Sequence, residues 1–207
     1  LFFIISAEHP TLPAAEVQAI LDAASIPYHV AEKAEKVLRL QAPLEALEAV
    51  ARRSLMCEQC GIELMNCRGS MGQILANAEE VMFERYIAKN ETFSVRCGRT
   101  ASAPRPSSCV ELERKIGEVV AKRCSYARVN LKMPDTEIYG IVYASRFLLG
   151  LACHKRARRA VTTRRPRARP FFHPSTMQPK LARCLVNLAR CPDGGTILDP
   201  FCGVGGI

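Results

Sequence analysis

Apolar residues recur along the first third of the chain at two different spacings. Short apolar runs, typical of strands, occur at 1–6, 27–30, 37–40 and 61–67. After Thr11 and after Pro43 the apolar side chains lie three and four positions apart, which is the spacing of an amphipathic helix. Pro13 suits the first turn of the first helix, where a missing N–H removes no hydrogen bond. The predicted order over residues 1–68, strand-helix-strand-strand-helix-strand, is that of a ferredoxin-like unit.

A second block over residues 69–154 also mixes the two periods. Helical spacing predicts a helix over 71–88, and strict alternation predicts a half-buried strand over 91–99. Ser108 and Glu111 have the spacing of a capping box, which predicts a further helix behind them. Three extended runs follow, at 127–133, 137–144 and 147–153.

The remainder of the chain divides in two. Residues 155–170 are basic, contain prolines and show no periodicity, so we interpret them as a linker. Over residues 171–207 we expect a helix at 178–190 and then a short strand at 196–198.

The distribution of charge says more than its total. The 207 residues carry a formal net charge of +9, and eight of those charges lie within 155–169, where no acidic residue occurs. Linkers usually mix signs, whereas a concentrated arginine cluster is the electrostatic footprint of phosphate binding. We therefore expect this segment to contact nucleic acid, with a solvated tether as the alternative.

The ten cysteines do not indicate a disulfide framework. Only Cys57, Cys60 and Cys67 cluster, and no secretory signal or membrane-spanning apolar run is present. Reduced thiols in a cytoplasmic protein are the expected state. The three clustered cysteines could supply zinc ligands, but no second pair accompanies them. We favour buried, apolar roles, predict no metal and leave the alternative open.

The most specific motif lies at residues 199–206, Asp-Pro-Phe-Cys-Gly-Val-Gly-Gly. An acidic residue and a glycine-rich turn directly after a short apolar strand are the pattern of a nucleotide-type cofactor site. Glycine allows the backbone to approach a ligand closely, because no Cβ intervenes. Backbone N–H groups at such a turn also receive a carboxylate well.

This motif resembles motif I of the S-adenosylmethionine-dependent methyltransferases that modify exocyclic amino groups of nucleobases. Residues 92–96, 112–117, 129–135 and 147–150 look like a THUMP domain. Residues 164–188 together with 199–206 are similar to the archaeal tRNA (guanine-N2)-methyltransferases that modify guanosine 10. The resemblance implies an α+β fold: a ferredoxin-like N-terminal unit and a THUMP domain, followed by the start of an α/β, Rossmann-like methyltransferase domain.

The resemblance also implies roles for individual residues. Those expected to hold S-adenosylmethionine are His173, Pro174, Ser175, Asp199, Pro200, Phe201, Cys202, Gly203 and Gly205. From the charge pattern and the THUMP resemblance together, the expected tRNA contacts are Arg96, Arg99, Arg128, Lys132, Arg164, Arg165, Arg167 and Arg169. For His173 a capping or packing role is an equal alternative.

The later Asp/Asn-Pro-Pro-Tyr/Phe motif, which the resemblance implies for the target amine, does not occur in these residues. We therefore name no catalytic residue and expect the chain alone to be inactive, with tRNA as partner and neither DNA nor a membrane. Two alternatives stay open: a non-catalytic tRNA-binding module, and a methyltransferase for another guanosine, such as position 6. A thiouridine synthetase would need a Ser-Gly-Gly-type ATP loop, which is absent. The sequence leaves the oligomeric state and mono- versus dimethylation open; a monomer is favoured.

Overall fold

The computed structural model describes residues 1–103, 108–155 and 176–203. Its N-terminal unit has the predicted order of elements. These are β1 (Phe2–Ile5), α1 (Leu12–Ala23), β2 (His29–Ala34), β3 (Val37–Gln41), α2 (Glu45–Arg53) and β4 (Cys57–Arg68). The strands lie in the order β2-β3-β1-β4 and each neighbouring pair is antiparallel. This is the ferredoxin-like arrangement, so that prediction is confirmed.

The second half adds helices to one face of the same sheet. Its elements are α3 (Met71–Glu79), a 3₁₀ turn (Phe83–Arg85), β5 (Thr92–Arg99), α4 (Cys109–Arg123), β6 (Arg128–Val129), β7 (Thr136–Tyr143) and β8 (Arg146–Lys155). A last helix, α5 (Pro179–Leu188), follows. The core under α3 and α4 includes Phe93, Ile116, Ile138, Phe147 and Leu149, each at most 1% exposed.

One eight-stranded sheet, in the order β2-β3-β1-β4-β8-β7-β5-β6, joins the two halves. The twelve-residue strand β4 makes this connection, since its first residues pair with β1 and most of its length pairs with β8. The two halves are therefore linked by backbone hydrogen bonds and not by a flexible tether.

The sheet curls so strongly that its inner face forms a core of its own. Phe2, Ile4 and Val37 pack there against Ile141 and Leu148, which belong to the other half. Two glycines on β4 and β8 lie close to Phe2, and still closer to the carbonyl oxygens of the strand that each one pairs with. A Cβ on Gly150 would lie 2.5 Å from Cε1 of Phe2, and one on Gly61 would lie 2.9 Å from the same atom, so neither position has room for a side chain.

Four sequence predictions about these elements need correction. The helix expected over 71–88 ends at Glu79, and the chain then turns through the 3₁₀ segment. A continuous helix would have buried Met82 and Tyr86, which are 48% and 39% exposed. The turn instead buries Phe83 and Ile87 completely or nearly so, and this burial of a large aromatic ring stabilises the break.

The extended run at 127–133 is mostly a turn. Only Arg128 and Val129 form a strand, because the side chain of Asn130 competes for the backbone that follows. Its Oδ1 accepts the N–H groups of Lys132 and Met133, both at 3.1 Å, and its Nδ2 donates to the carbonyl of Met133 at 2.7 Å.

The predicted capping box before α4 is not formed. Ser108 is the N-cap residue, but its side chain makes no cap hydrogen bond. Glu111 instead pairs with Lys115 one turn later, at 3.0 Å. The strand expected at 27–30 is shifted and runs from His29 to Ala34. Among the described residues, no helix has both the length and the apolar character needed to span a bilayer.

Candidate functional site

The candidate cofactor loop follows α5, which packs on the N-terminal unit. Lys180 at the start of α5 donates to Oγ of Ser6 and pairs with Glu8, both at 2.8 Å. Arg190, just after the helix, pairs with Asp22 of α1 at 2.8 Å. In the part of the chain that the structure describes, α5 thus finds its ion-pair partners in the ferredoxin-like unit.

A turn beyond α5 carries the chain toward the glycine-rich loop. Asp193 pairs with Arg52 and lies 3.8 Å from Nη1 of Arg53, both at the end of α2. The pKa of Asp193 is lowered, and the largest cause of the shift is the pairing with Arg52. Gly194, at φ +79°, then turns the backbone in a conformation that residues with a side chain rarely adopt.

The described part of the loop is an exposed turn held by its acidic residue. Oδ1 of Asp199 accepts the backbone N–H of Phe201 at 2.9 Å, so the carboxyl group is tied to the loop that follows it. Gly203 has φ +53°, where glycine is preferred because it has no Cβ. Leu198 and Phe201 are 85% and 91% exposed. Side chains this apolar are usually covered in a folded enzyme.

The strand expected at 196–198 is not formed in the described structure. A strand exists through hydrogen bonds to neighbouring strands, and no described strand lies beside these residues. Pro200 and Cys202 lie in the same exposed turn. The remaining predicted cofactor residues, His173, Pro174, Ser175 and Gly205, lie outside the described residues.

Three of the predicted RNA contacts surround the edge strand β6. Arg128 and Lys132 make no ion pair within the described part of the chain, so their charges face solvent. Arg96 donates to the carbonyl of Leu131 at 2.7 Å and lies 4.0 Å from Glu113, which holds it against the turn that carries Lys132. This edge of the sheet therefore carries three basic side chains, of which Arg96 lies beside Glu113.

The fourth predicted contact lies apart from them. Arg99, at the other end of β5, donates to Sγ of Cys109 at the start of α4, 3.4 Å away. The other predicted RNA contacts, Arg164, Arg165, Arg167 and Arg169, lie outside the described residues.

Only two of the three clustered cysteines are brought together. A bulge in β4 turns Cys57 and Cys60 into the same helix-covered core, where they are 6% and 1% exposed. A hydrogen bond with Cys60, together with burial, raises the pKa of the Cys57 thiol. Cys67 lies seven residues farther along the strand, roughly 23 Å away. The described residues hold no group of three or more His, Cys, Asp or Glu side chains arranged for a metal ion.

Apolar periodicity does not reveal the residues that anchor α5. Glu16 lies on the apolar face of α1 and Asn187 on the inner face of α5, and both are fully buried. A signal was present, because an acidic residue between Pro13 and Val17 in an apolar stripe must find partners when the stripe is buried. The sequence does not say that the partner comes from a helix 171 residues away.

Two protein families match the chain. The THUMP domain family matches residues 68–152 and the RMKL-like methyltransferase domain family matches residues 166–207. The chain is thus similar to a THUMP domain followed by a methyltransferase domain. The methyltransferase match covers α5 and the glycine-rich loop, and the THUMP match ends close to the end of β8.

Two curated relatives match the chain over different lengths. The tRNA (guanine(10)-N2)-dimethyltransferase of Methanothermobacter thermautotrophicus is 33% identical over 99% of this chain and 58% of its own length. The enzyme of the same name from Methanocaldococcus jannaschii is 39% identical over 47% of this chain and 28% of its own. The chain thus spans little more than half the length of the first of these relatives.

Solved structures show the same fold. TrmN from Thermus thermophilus superposes with a TM-score of 0.58 at 22% identity, covering 91% of this chain and 55% of that one. SMU.472, solved in complex with SAH, superposes with a TM-score of 0.64 at 13% identity, covering 99% and 52%. At these identities the likeness establishes the fold alone.

Proposed function

We propose that the full-length protein methylates N2 of guanine at position 10 of tRNA, with S-adenosylmethionine as methyl donor. The observation that carries this proposal is the 33% identity to a tRNA (guanine(10)-N2)-dimethyltransferase along 99% of the chain. The family match at residues 166–207 supports methyl transfer as the reaction class.

The described part of the loop fits such a donor. Gly203 at φ +53° leaves the backbone open to close approach, and the Asp199 turn fixes the N–H of Phe201. Asp199, Pro200, Phe201, Cys202 and Gly203 would hold the cofactor, with His173, Pro174, Ser175 and Gly205 beside them. When bound, the cofactor supplies an electrophilic methyl group.

The chain's own contribution is to hold RNA. Arg96, Arg128 and Lys132 present cations along the β6 edge, and the eight basic residues within 155–169 add a second positive segment. Exposed Val129, Leu131 and Met133 lie on that edge and offer apolar surface. Phosphate neutralisation supplies affinity, and contact with unstacked bases adds selectivity for single-stranded ends.

Transfer to an exocyclic amine depends on positioning, because the neutral amine is a weak nucleophile. An aligned bound geometry removes much of the entropic barrier, and the target base has to leave the stack to reach it. We propose a division of labour in which residues 1–68 carry the fold's first unit, 69–154 and the 155–170 linker bind tRNA, and 171–207 begin the catalytic domain.

The test uses the full-length protein, methyl-labelled S-adenosylmethionine and a tRNA transcript. We expect N2-methylated guanosine by mass spectrometry of the nucleosides, and none when guanosine 10 is replaced by adenosine. A transcript altered at guanosine 6 is the matched control and should be modified normally. Tight tRNA binding without any methylation would instead support the non-catalytic binding module.

A further inference from the structure

A buried polar contact joins the first helix of the chain to the last described one. Nδ2 of Asn187 on α5 donates to Oε1 of Glu16 on α1 at 2.9 Å, and both residues are 0% exposed. Two apolar helix faces would pack equally well in several registers. A hydrogen bond between a buried amide and a buried carboxyl group favours one register, because a slide of α5 breaks that bond and leaves the buried Asn187 amide without its acceptor.

The contact is part of a larger network. Glu16 also accepts hydrogen bonds from the hydroxyl of Ser54 and from the N–H of Met56, the latter at 3.0 Å. These bonds hold its carboxyl group from within the N-terminal unit and do not involve α5. Asn187 donates a second hydrogen bond to the carbonyl of Arg53 at 3.1 Å, and the Arg53 guanidinium reaches the carbonyl of Cys191 at 2.9 Å. The N-terminal unit thus presents buried polar groups to Asn187 at the end of α2. We call this set, the Glu16 carboxyl group with its partners and the Arg53 carbonyl, the polar socket.

The socket lies on the unit that is continuous with the RNA-binding half. Strand β4 runs from the core beneath α1 and α2 to the THUMP part of the sheet. A helix locked to α1 is therefore at a fixed distance from the cations along β6. Asp199 follows Asn187 by twelve positions, and Arg52 and Arg53 fasten the intervening turn through Asp193.

We propose that Glu16 and Asn187 are positioning residues that dock the start of the methyltransferase domain on the ferredoxin-like unit, and so set where the cofactor loop stands relative to bound RNA. This inference rests on the proposed function for its effect on catalysis. Its structural part, the docking of α5, is measurable without any activity.

The direct readout is the accessibility of Cys184. This thiol lies on the docked face of α5 at 0% exposure, near the carbonyl of Leu12. In the full-length protein, site-resolved alkylation followed by mass spectrometry should label Cys184 at least tenfold faster in Asn187→Ala than in the native protein. Cys124, fully buried in the THUMP part, is the internal reference and should keep its rate.

The catalytic readout separates positioning from binding. With Asn187→Ala we expect kcat to fall at least tenfold, about 1.4 kcal/mol, while the Kd for tRNA and for S-adenosylmethionine each change less than twofold. Arg183→Ala, on the same helix but without a described ion pair, is the matched control and should change neither Cys184 labelling nor kcat. A loss of stability without undocking would alter Cys124 as well.

A reciprocal exchange tests the pair itself. Asn187→Asp should undock α5, because it places two carboxyl groups face to face. Adding Glu16→Gln restores an amide opposite a carboxyl group and should recover at least part of both readouts. Should the buried changes prevent folding, Arg190→Glu breaks only the surface pair with Asp22 and should raise Cys184 labelling two- to fivefold.

The outcomes are distinct. Protection of Cys184 in Asn187→Ala and in Arg190→Glu would overturn the docking role, and rapid labelling with an unchanged kcat would overturn the positioning role. A native protein that methylates no tRNA would refute the proposed function, whereas Cys184 labelling would still decide whether Glu16 and Asn187 dock the helix.

Discussion

Tyr143, the last residue of β7, donates its hydroxyl hydrogen to Oε2 of Glu32 on β2 at 3.1 Å, although four strands lie between β2 and β7 in the sheet. The contact exists because the sheet curls until its edge strand meets β7. Burial raises the pKa of Glu32, but hydrogen bonds from Arg39 and Tyr143 outweigh it, so the pKa lies below its ordinary value. The same hydroxyl accepts Nδ2 of Asn66 at 2.7 Å.

Removing that hydroxyl tests whether the contact between β2 and β7, the closure of the curled sheet, stabilises the fold. Tyr143→Phe leaves Asn66 without its acceptor and Glu32 without one donor, so we expect the free energy of unfolding to fall by about 1–2 kcal/mol. Chemical denaturation measures it. Tyr86→Phe, at an exposed ring, is the control and should stay within about 0.5 kcal/mol of the native protein. Equal effects of both changes would contradict the closure.

Alanine substitutions at two glycines, one in the curled sheet and one in a helix as its control, test whether the sheet has room for a side chain. Gly150→Ala places a Cβ 2.5 Å from the ring of Phe2, and we expect a loss of about 1–3 kcal/mol from overpacking. Gly117→Ala lies inside α4, where a Cβ meets nothing closer than 4.0 Å, and should gain about 1 kcal/mol from helix propensity. Thermal unfolding of both variants gives the signs, and a stabilising Gly150→Ala would show that the curl has room for a side chain.

Asp135 gives a pH dependence with a defined sign. Hydrogen bonds from the hydroxyl and the N–H of Thr92, 2.7 and 2.8 Å long, hold the pKa of Asp135 below its ordinary value near 4. A carboxyl group whose folded pKa is depressed stabilises the fold above the unfolded pKa and loses that contribution as the pH falls through the folded pKa. The free energy of unfolding, measured between pH 6 and pH 2.5, should therefore fall less steeply with decreasing pH in Asp135→Asn than in the native protein. Thr92→Val should raise the pKa of Asp135 in an NMR titration; an unchanged value would contradict the assignment.

A substitution at Asp199 should affect methyl transfer without affecting tRNA binding. In the full-length protein, Asp199→Ala should abolish methyl transfer, because the carboxyl group that organises the turn through the N–H of Phe201 is gone. The Kd for tRNA should stay within twofold, since the loop and the β6 cations lie on different parts of the fold. Filter binding and transfer assays on the same preparation decide it, and a parallel fall of both would contradict the division of labour.

The basic segment should control the salt dependence of binding. Replacing Arg164, Arg165, Arg167 and Arg169 by alanine should flatten the slope of log K against log[salt] by roughly two to four, at about −0.9 for each lost phosphate contact. Arg114→Ala is the control, because Arg114 is paired with Glu118 on α4, 2.5 Å away, and should leave the slope unchanged. A slope that the four changes do not alter would favour the solvated tether. We also expect a tRNA lacking its single-stranded acceptor end to bind more weakly.

Local sequence pattern is sufficient to predict the elements in which that pattern agrees with the packing. The helices that begin at Leu12, Glu45 and Pro179 follow apolar spacing, and strands β7 and β8 follow apolar runs, so period and burial give the same answer. The motif at 199–206 predicts a cofactor site from local sequence alone, because a glycine-rich turn after an acidic residue is a local arrangement, and this assignment of site residues stays a prediction.

Other features depend on partners that are distant in the sequence, and local pattern does not predict them. The helix expected over 71–88 breaks after Glu79 because Phe83 and Ile87 find a core that local spacing does not reveal. Glu16 meets Asn187, and Glu32 meets Tyr143, because the sheet curls and α5 returns to α1. Sequence periodicity reports which face of an element is buried, whereas the partner that satisfies a buried polar group is set by the global arrangement of the chain.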